Sequence, residues 1–355
     1  PPDPGALLST DEPHERGAIL VAAVFDAFLS IYRSRIDDLL RIATQGSGLL
    51  APGELHPDLV KRLAKEASTA ADHVLRICIR ALDYCPPVDI TFGDYLRALI
   101  TADVDAVPDD RMHYRLAFVE AFQRRGIYPG DVRTLSEESL VWRPPRSHDV
   151  DLTPLFAPGA GIEPEWRQTS DRRELWERMR RNARTVHRWL RTSCSGPMAE
   201  EIGLAISTDA PKSVFRRHGR PTIEVHSVRL ARRGTPLGDT RTDFVIEILQ
   251  RRRGYLDAET QARVDAEGPD REDDHGDFVM RGGCTLLVDP ETCRVRYAIN
   301  KHILSAGRLK RQREFLGGGD GSLRATYLGD AGRGAGMREP FAMLHRPIDE
   351  QEGTT

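Results

Sequence analysis

Residues 17–43 read GAILVAAVFDAFLSIYRSRIDDLLRIA, and this stretch decides the character of the first part of the chain. Its opening turns are apolar on most sides, which predicts a central, buried helix from about Gly17 to Ala43. His14 stands just before this helix. The sequence therefore predicts an imidazole fixed at the end of a buried element, where a hydrogen-bond donor or a proton carrier is useful.

Three more helices are predicted after the first. Apolar residues recur at helical spacing over residues 57–84. Thr91 and Asp94 resemble a capping box that opens a third helix. A fourth helix is predicted after residues 108–110, with Gly126 suited to its C-terminal cap. We therefore expect one helical domain in this part of the chain.

The apolar pattern changes in the second half of the chain. A helix is predicted over about 171–191, and after it the apolar period falls from about four residues to two, which is typical of strands. Asp289 to Thr292 can form a hairpin turn between the last two strands, and a helix is predicted over about 301–315. The four alternating runs are 222–230, 243–249, 284–288 and 295–299.

These patterns together predict the fold class α+β, with a mainly α-helical N-terminal domain followed by a small antiparallel β-sheet domain with flanking helices. The predicted divisions are a helical domain (1–128), a proline-rich linker draped over a surface (129–170), a small α+β accessory domain (171–316) and a flexible glycine-rich tail (317–355).

Composition limits the partners that the sequence predicts. The chain has 51 basic and 54 acidic residues and a net charge of -3, so no overall field favours nucleic acid or a membrane surface. No apolar run reaches the ~18 residues of a membrane span. The five cysteines are scattered and form no CxxC pair, which argues against a disulfide framework or a zinc knuckle and favours reduced, buried thiols. Neither the compartment nor the oligomeric state is indicated.

His14 has two interpretations from its local sequence. It can have a structural role, as a helix cap or as a hydrogen-bonded core residue, or it can take part in catalysis. It is not half of a zinc-binding HExxH motif, because Ala18 stands where the second histidine would be needed. The other ten histidines show no ligand spacing either.

An ordered set of motifs nevertheless resembles a known family. His14 precedes Gly17-Ala18-Ile19-Leu20, the helix end Ile77–Leu82 is followed by a loop and Thr91–Ala98, and Arg115–Phe122 precedes a glycine. Over roughly residues 10–128 this order resembles the C-terminal helical lobe of thermolysin-like (M4-type, gluzincin) zinc metallopeptidases.

The resemblance implies a zinc-dependent metalloendopeptidase that hydrolyses peptide bonds with zinc-activated water, with a peptide or protein as substrate. It implies that His14 donates a hydrogen bond to the oxyanion, oriented by a neighbouring carboxylate, for which Asp11 is our candidate and Glu12 the other near one. The implied cofactor is zinc, but HExxH and the further glutamate ligand are absent from the 355 residues. The first residues look like a loop cut open, so we expect zinc ligands upstream in a longer parent protein and no peptidase activity from the isolated chain.

Two other functions remain open from the sequence. The first is a non-catalytic helical scaffold or partner-binding protein of peptidase ancestry. The second is nucleic-acid binding by the helix over 171–191, which carries eight arginines with Trp176 and Trp189. Because Asp171, Glu174 and Glu177 dilute that charge, we favour a solvated face with both tryptophans packed inward, and we expect no nucleic-acid partner.

Overall fold

The computed structural model describes residues 2–50, 53, 55–145, 150–156, 162, 171–216, 219–234, 240–271 and 273–318. Within these ranges the chain forms helices first and then a four-stranded antiparallel sheet with further helices, so the predicted α+β class is confirmed. The helices are α1 (Ala6–Ser9), α2 (Pro13–Ala43), α3 (Pro57–Ala81), α4 (Phe92–Ala106), α5 (Tyr114–Gln123), α6 (Glu137–Leu140), α7 (Thr153–Phe156), α8 (Arg172–Ser193), α9 (Gly196–Glu201), α10 (Ala258–Glu267) and α11 (Ala306–Gly317). The strands are β1 (Ile223–Gly234), β2 (Thr240–Gly254), β3 (Phe278–Val288) and β4 (Val295–Lys301).

Helix α2 begins four residues earlier than the sequence predicts. The Glu12 side chain accepts a hydrogen bond from the Glu15 backbone N–H at 2.7 Å, which satisfies one of the free donors of the first turn. Pro13 occupies the first helical position, where its missing N–H costs nothing. His14 therefore lies inside the first turn of α2 and not before the helix.

The prediction that α2 is buried on most sides is wrong. Its fully buried residues are Ala23, Ala27, Ile31 and Ile36, and the helix packs on α3 and α5 with this narrow face. The opposite side carries the apolar side chains of Val21 and Phe25 into solvent, while Ala23, Ala27 and Ile31 face the core. All-round apolarity does not determine which side of a helix is covered.

The other helices of this unit begin and end close to where the sequence predicts. The capping box of Thr91 and Asp94 is present at the head of α4, with both reciprocal hydrogen bonds formed. A 3-10 turn continues α3 to Tyr84, as expected for a helix ending there. The core between α3, α4 and α5 is built around the fully buried rings of Tyr84, Phe118 and Phe122.

The sheet has the strand order β1-β2-β3-β4, and every neighbouring pair is antiparallel. The four predicted strands are confirmed, and each extends beyond its predicted run. Strand β3 is buried on both faces, since Leu286 packs in the core beneath α8 while its neighbour Leu287 packs against the helical unit. The sheet therefore lies between α8 on one face and the helical unit on the other.

Buried ion pairs join the helical unit to the sheet. Arg296 of β4 lies between Asp105, at the end of α4, and Asp243 of β2, whose carboxylate it contacts at 2.8 Å. Asp105 also accepts hydrogen bonds from the hydroxyls of Tyr84 at 2.5 Å and Tyr297 at 3.0 Å. The two parts of the chain are thus joined by buried polar contacts as well as by apolar packing.

Parts of the predicted linker belong to these cores. Leu140 is fully buried in the helical unit, and Trp142 donates from its indole to the Tyr84 carbonyl at 2.9 Å. Leu152 and Leu155 are buried in the core between the sheet and α8. Some described residues of the predicted linker therefore contribute to both cores.

Several local features differ from the prediction. Helices α9 and α10 were not predicted, and α11 begins at Ala306 because Lys301 is still the last residue of β4. The predicted flexible tail lies outside the described residues from residue 319 onward. All five cysteines are free thiols, as expected, but only Cys85 and Cys284 are fully buried.

Helix α2 is the one described helix that is long and apolar enough to cross a membrane, with a mean hydropathy of 1.5 over 18 residues. It also holds an ion pair between Asp26 and Arg125 at 2.5 Å and packs on α3 and α5. The described residues therefore give no clear membrane span.

Candidate functional site

The first turn of α2 holds the histidine that the sequence analysis selected. The Nδ1–H of His14 donates to Glu12 Oε1 at 2.8 Å, and 68% of the imidazole side chain is exposed. The other carboxylate oxygen of Glu12 caps the helix through the Glu15 backbone N–H. Both hydrogen bonds favour the charged carboxylate and lower the pKa of Glu12, the helix N–H most strongly and His14 next. The second ring nitrogen, Nε2, has no hydrogen-bond partner among the described residues.

The carboxylate that the structure places against His14 is that of Glu12, the second of the two near candidates, and Asp11 was the first choice from the sequence. Asp11 lies just before the helix with an exposed side chain. Glu12 is the N-cap residue, and its longer side chain reaches forward to the first turn, where both the Glu15 N–H and the imidazole are available. The sequence signal for this role was the Glu12-Pro13 pair, in which a capping side chain precedes a proline at the first helical position.

His14 stands at the head of an exposed apolar stripe, formed by His14, Ala18, Val21 and Phe25 and named here the α2 stripe. Residues spaced by four, seven and eleven positions fall within about 60° of one another on an α-helix. Val21 is 68% exposed and Phe25 is 56% exposed, although burial of a Val or Phe side chain is worth about 1.5–3 kcal/mol. Contiguous exposed apolar side chains of this kind mark surfaces that a partner covers.

The described residues do not form a zinc site. No group of three or more His, Cys, Asp or Glu side chains in the described part of the chain is arranged to hold a metal ion. The carboxylate–imidazole pair of Glu12 and His14 alone offers too few ligands for the tetrahedral coordination that zinc prefers in proteins.

A second histidine lies in a cavity that the sequence analysis did not predict. The cavity of about 460 Å³ is bounded by α2, α3 and α5 and includes Arg35, His73 and Tyr114. The Tyr114 hydroxyl lies 3.2 Å from His73 Nδ1 and accepts a hydrogen bond from Arg35 at 3.3 Å, while Arg35 is paired with Glu66 at 2.5 Å. Burial and the nearby Arg35 lower the pKa of His73. This chain of contacts joins three helices, which is a structural role.

Two tyrosines of the helical unit, Tyr84 and Tyr114, have different surroundings. Tyr114 borders the cavity just described, whereas Tyr84 is fully buried against Tyr297, with ring centroids 5.8 Å apart. Tyr84 is therefore a core residue between the helical unit and the sheet.

A larger cavity lies elsewhere, between α8 and β1. It has a volume of about 1010 Å³, and half of its lining residues are arginines or histidines. The basic lining residues are Arg180, Arg184, His187, Arg188, Arg191, Arg216 and His226. We name this cavity the arginine groove. The sequence indicated the arginines of α8, but not Arg216 or His226, which a long-range contact between α8 and the sheet brings to the same place.

Trp176 also departs from the prediction. Both tryptophans of α8 were expected to pack inward, but only Trp189 packs against the core, and Trp176 is 54% exposed at the edge of the arginine groove. The guanidinium of Arg180 lies over its ring, 4.7 Å from the centroid.

No profile of a known protein family, no curated protein and no solved structure matches this chain.

Proposed function

We propose that residues 10–128 are the C-terminal helical lobe of a thermolysin-like zinc metallopeptidase, in which His14 donates a hydrogen bond to the oxyanion formed when a peptide bond is hydrolysed. The observation that carries the proposal is the state of the imidazole. Glu12 holds Nδ1, while Nε2 faces solvent without a described partner. An imidazole held in this way can donate through Nε2 once its ring is protonated.

The chemistry of this pair suits oxyanion stabilisation. A carboxylate at Nδ1 fixes the orientation of the ring. A fixed donor directed at the place where negative charge develops contributes to catalysis without reorganisation in the transition state. Glu12 is itself held by the helix, through its hydrogen bond to the Glu15 N–H.

The surroundings of His14 support the same proposal. The α2 stripe continues from His14 to Phe25 and leaves large apolar side chains uncovered. We infer that the catalytic part of the enzyme, with the zinc ligands, packs on this stripe and so brings its reaction centre to the imidazole.

The first test of the proposal concerns the rest of the protein. We expect the reading frame upstream of Pro1 to encode HExxH followed by a further glutamate. We also expect the isolated 355-residue chain to show no chelator-sensitive peptide hydrolysis. An upstream frame without these residues supports the alternative, a helical scaffold or partner-binding protein, and chelator-sensitive cleavage by the isolated chain contradicts the placement of the zinc ligands outside it.

The second test addresses His14 in the full-length protein. We expect His14→Ala to lower kcat by about 10²–10³ with little change in KM, because the lost interaction is made in the transition state. Glu12→Gln keeps the length of the capping side chain but removes its charge, so we expect a smaller loss of kcat. His56→Ala is the matched control, since His56 is also an exposed imidazole at a helix N-terminus, where it accepts from the Asp58 N–H at 3.2 Å. Unchanged turnover in His14→Ala, or an equal loss in His56→Ala, removes His14 from the mechanism.

A further inference from the structure

The arginine groove has no role in the peptidase proposal, and its shape follows from how α8 packs. Helix α8 contacts β1 through a face that includes the buried residues Asn182, Val186 and Leu190. On the flank beside this contact, the helix and the strand remain apart and enclose the groove. The groove is therefore a fixed, concave feature between two packed elements.

Among the described residues, the positive charge of the groove is largely without acidic partners. Glu224 is the one acidic residue among the described residues that line it, and Arg251 binds its carboxylate. The five lining arginines, Arg180, Arg184, Arg188, Arg191 and Arg216, have no carboxylate partner in the described part of the chain. By contrast Arg178, on another side of α8, is paired with Glu174 at 2.6 Å.

Repeated positive charges on one flank of a helix destabilise the helix when no ligand is bound. Like charges four residues apart destabilise a helix by about 0.2–0.5 kcal/mol per pair. Arg180, Arg184 and Arg188 form two such pairs on one flank of α8. A polyanion lying in the groove offsets this repulsion.

The spacing of these arginines fits a linear chain of phosphates. Four residues of α-helix advance about 6 Å along the axis, so Arg180, Arg184 and Arg188 form an evenly spaced row. Successive phosphates of an extended nucleic-acid strand form a row of the same kind. Arg216 faces this row from the sheet side of the groove, so that both walls present guanidinium groups, which bind phosphate oxygens in a bidentate manner.

Planar side chains accompany the charges. Trp176 is exposed at the groove edge with Arg180 over its ring, and indole and guanidinium planes are surfaces on which unpaired bases stack. His226 is the extra residue of a β-bulge between Val225 and Ser227, and it is exposed in the groove. A bulge redirects a side chain from its regular position in a strand.

We propose that the arginine groove binds single-stranded nucleic acid, with the arginines on the phosphodiester backbone and Trp176 stacked on a base. A duplex fits the site less well, because one face of α8 is held against the sheet and the arginines line a concavity, so the helix cannot enter a major groove. An acidic peptide would satisfy the charges but would leave the stacking surface of Trp176 unused. The balanced overall charge of the chain had argued against a nucleic-acid partner, and the local arrangement of unpaired arginines is the reason to propose one.

The test is fluorescence anisotropy of the 355-residue chain with labelled dT12 and U12, from about 50 to 200 mM salt. Four neutralised phosphates give a slope of about -2.8 for log affinity against log salt, at about -0.7 per phosphate of a single strand. Comparison of dT12 with U12 distinguishes DNA from RNA as the source of the strand. We expect both single strands to bind more tightly than a 12-base-pair duplex.

Charge-reversal variants locate the binding. We expect the double variant Arg184→Glu/Arg188→Glu to weaken binding at least about 30-fold and to reduce the salt slope by about 1.4. The matched control is Arg172→Glu/Arg181→Glu, which makes the same charge change at exposed positions of the same helix outside the groove. This control should weaken binding less than threefold. Trp176→Ala should weaken binding about 5-fold or more at unchanged salt slope, because it removes stacking and not charge.

Four outcomes overturn the proposal. The first is no binding at the lowest salt, and the second is equal weakening by the control variant. The third is equal affinity for the duplex. The fourth is tighter binding of polyglutamate with the same dependence on Arg184 and Arg188, which identifies an acidic peptide as the ligand. Far-UV circular dichroism of each variant verifies that the fold is retained, and none of these outcomes bears on His14.

Discussion

Replacement of Arg296 by methionine tests whether the helical unit and the sheet are joined by a buried ion cluster. The Arg296 side chain is 15% exposed, and its partners Asp105 and Asp243 are 11% and 1% exposed. Burial lowers the pKa of Arg296, but the two carboxylates raise it by more, so the guanidinium stays charged. The methionine fills most of the volume of the arginine stem but removes the Arg296 cation from both carboxylates.

The expected loss follows from the burial of the remaining charges. Removal of one partner from a buried ion pair costs about 3–5 kcal/mol, because the other charge is left desolvated and uncompensated. We therefore expect Arg296→Met to lower the free energy of unfolding by about that amount, in urea denaturation followed by far-UV circular dichroism.

Arg229→Met is the matched control for this measurement. Arg229 also joins the helical unit to the sheet, with Asp83 at 2.6 Å and Glu247 at 3.6 Å, but a third of its side chain is exposed. Such a pair is worth about 0–1 kcal/mol. The reasoning would be refuted by equal losses of unfolding free energy in the two variants, or by a loss below about 1 kcal/mol in Arg296→Met. Either result would show that burial does not increase the contribution of the Arg296 cluster to stability.

Two further predictions concern a buried carboxylate and a crowded glycine. Burial raises the pKa of Asp103 to about 6 although Arg115 opposes this, so the folded state binds the proton more tightly than the unfolded state. The contribution of Asp103 to stability is therefore largest below about pH 4 and falls as the pH rises to about 6. Asp103→Asn should remove this fall when the free energy of unfolding is measured by urea denaturation at a series of pH values. Identical pH profiles of the variant and the wild type would contradict the assignment. Gly283 has φ +153°, and an added Cβ would lie 2.0 Å from the Ile248 carbonyl oxygen. We therefore expect Gly283→Ala to destabilise the fold by about 2 kcal/mol or more. The control Gly307→Ala, at an exposed position of α11, should be neutral or mildly stabilising. A Gly283→Ala protein that melts with the wild type would show that β2 and β3 can move apart.

Local signals predicted the parts of the fold that are decided locally. The capping box at Thr91 and Asp94 fixed the start of α4, since both partners of the reciprocal hydrogen bonds lie within four residues. The alternation of apolar and polar residues predicted the four strands, and the Asp289–Thr292 turn linked the last two correctly. The strand ends were underestimated because charged residues such as Arg251 continue β2 beyond its apolar run.

Long-range packing explains what the sequence could not predict. The buried side of α2 is its alanine face, because Ala23 and Ala27 permit close approach of α3 and α5, and no local signal shows that Val21 and Phe25 stay outside. The arginine groove exists because α8 packs on β1, and His226 faces it only through a bulge in the strand pairing. The ligand proposed for the arginine groove and the proposed peptidase function are predictions.

Glu12 performs two tasks with one carboxylate, since one oxygen caps α2 and the other holds the His14 imidazole. The first turn of the helix and the orientation of the ring therefore cannot vary independently. Protonation of Glu12 in acid would weaken both hydrogen bonds at once, and because its pKa is lowered in the folded protein this happens only below the usual range of a glutamate. Fraying of the α2 head and loss of a fixed imidazole should consequently appear in the same acidic pH window, as a single local transition that precedes global unfolding.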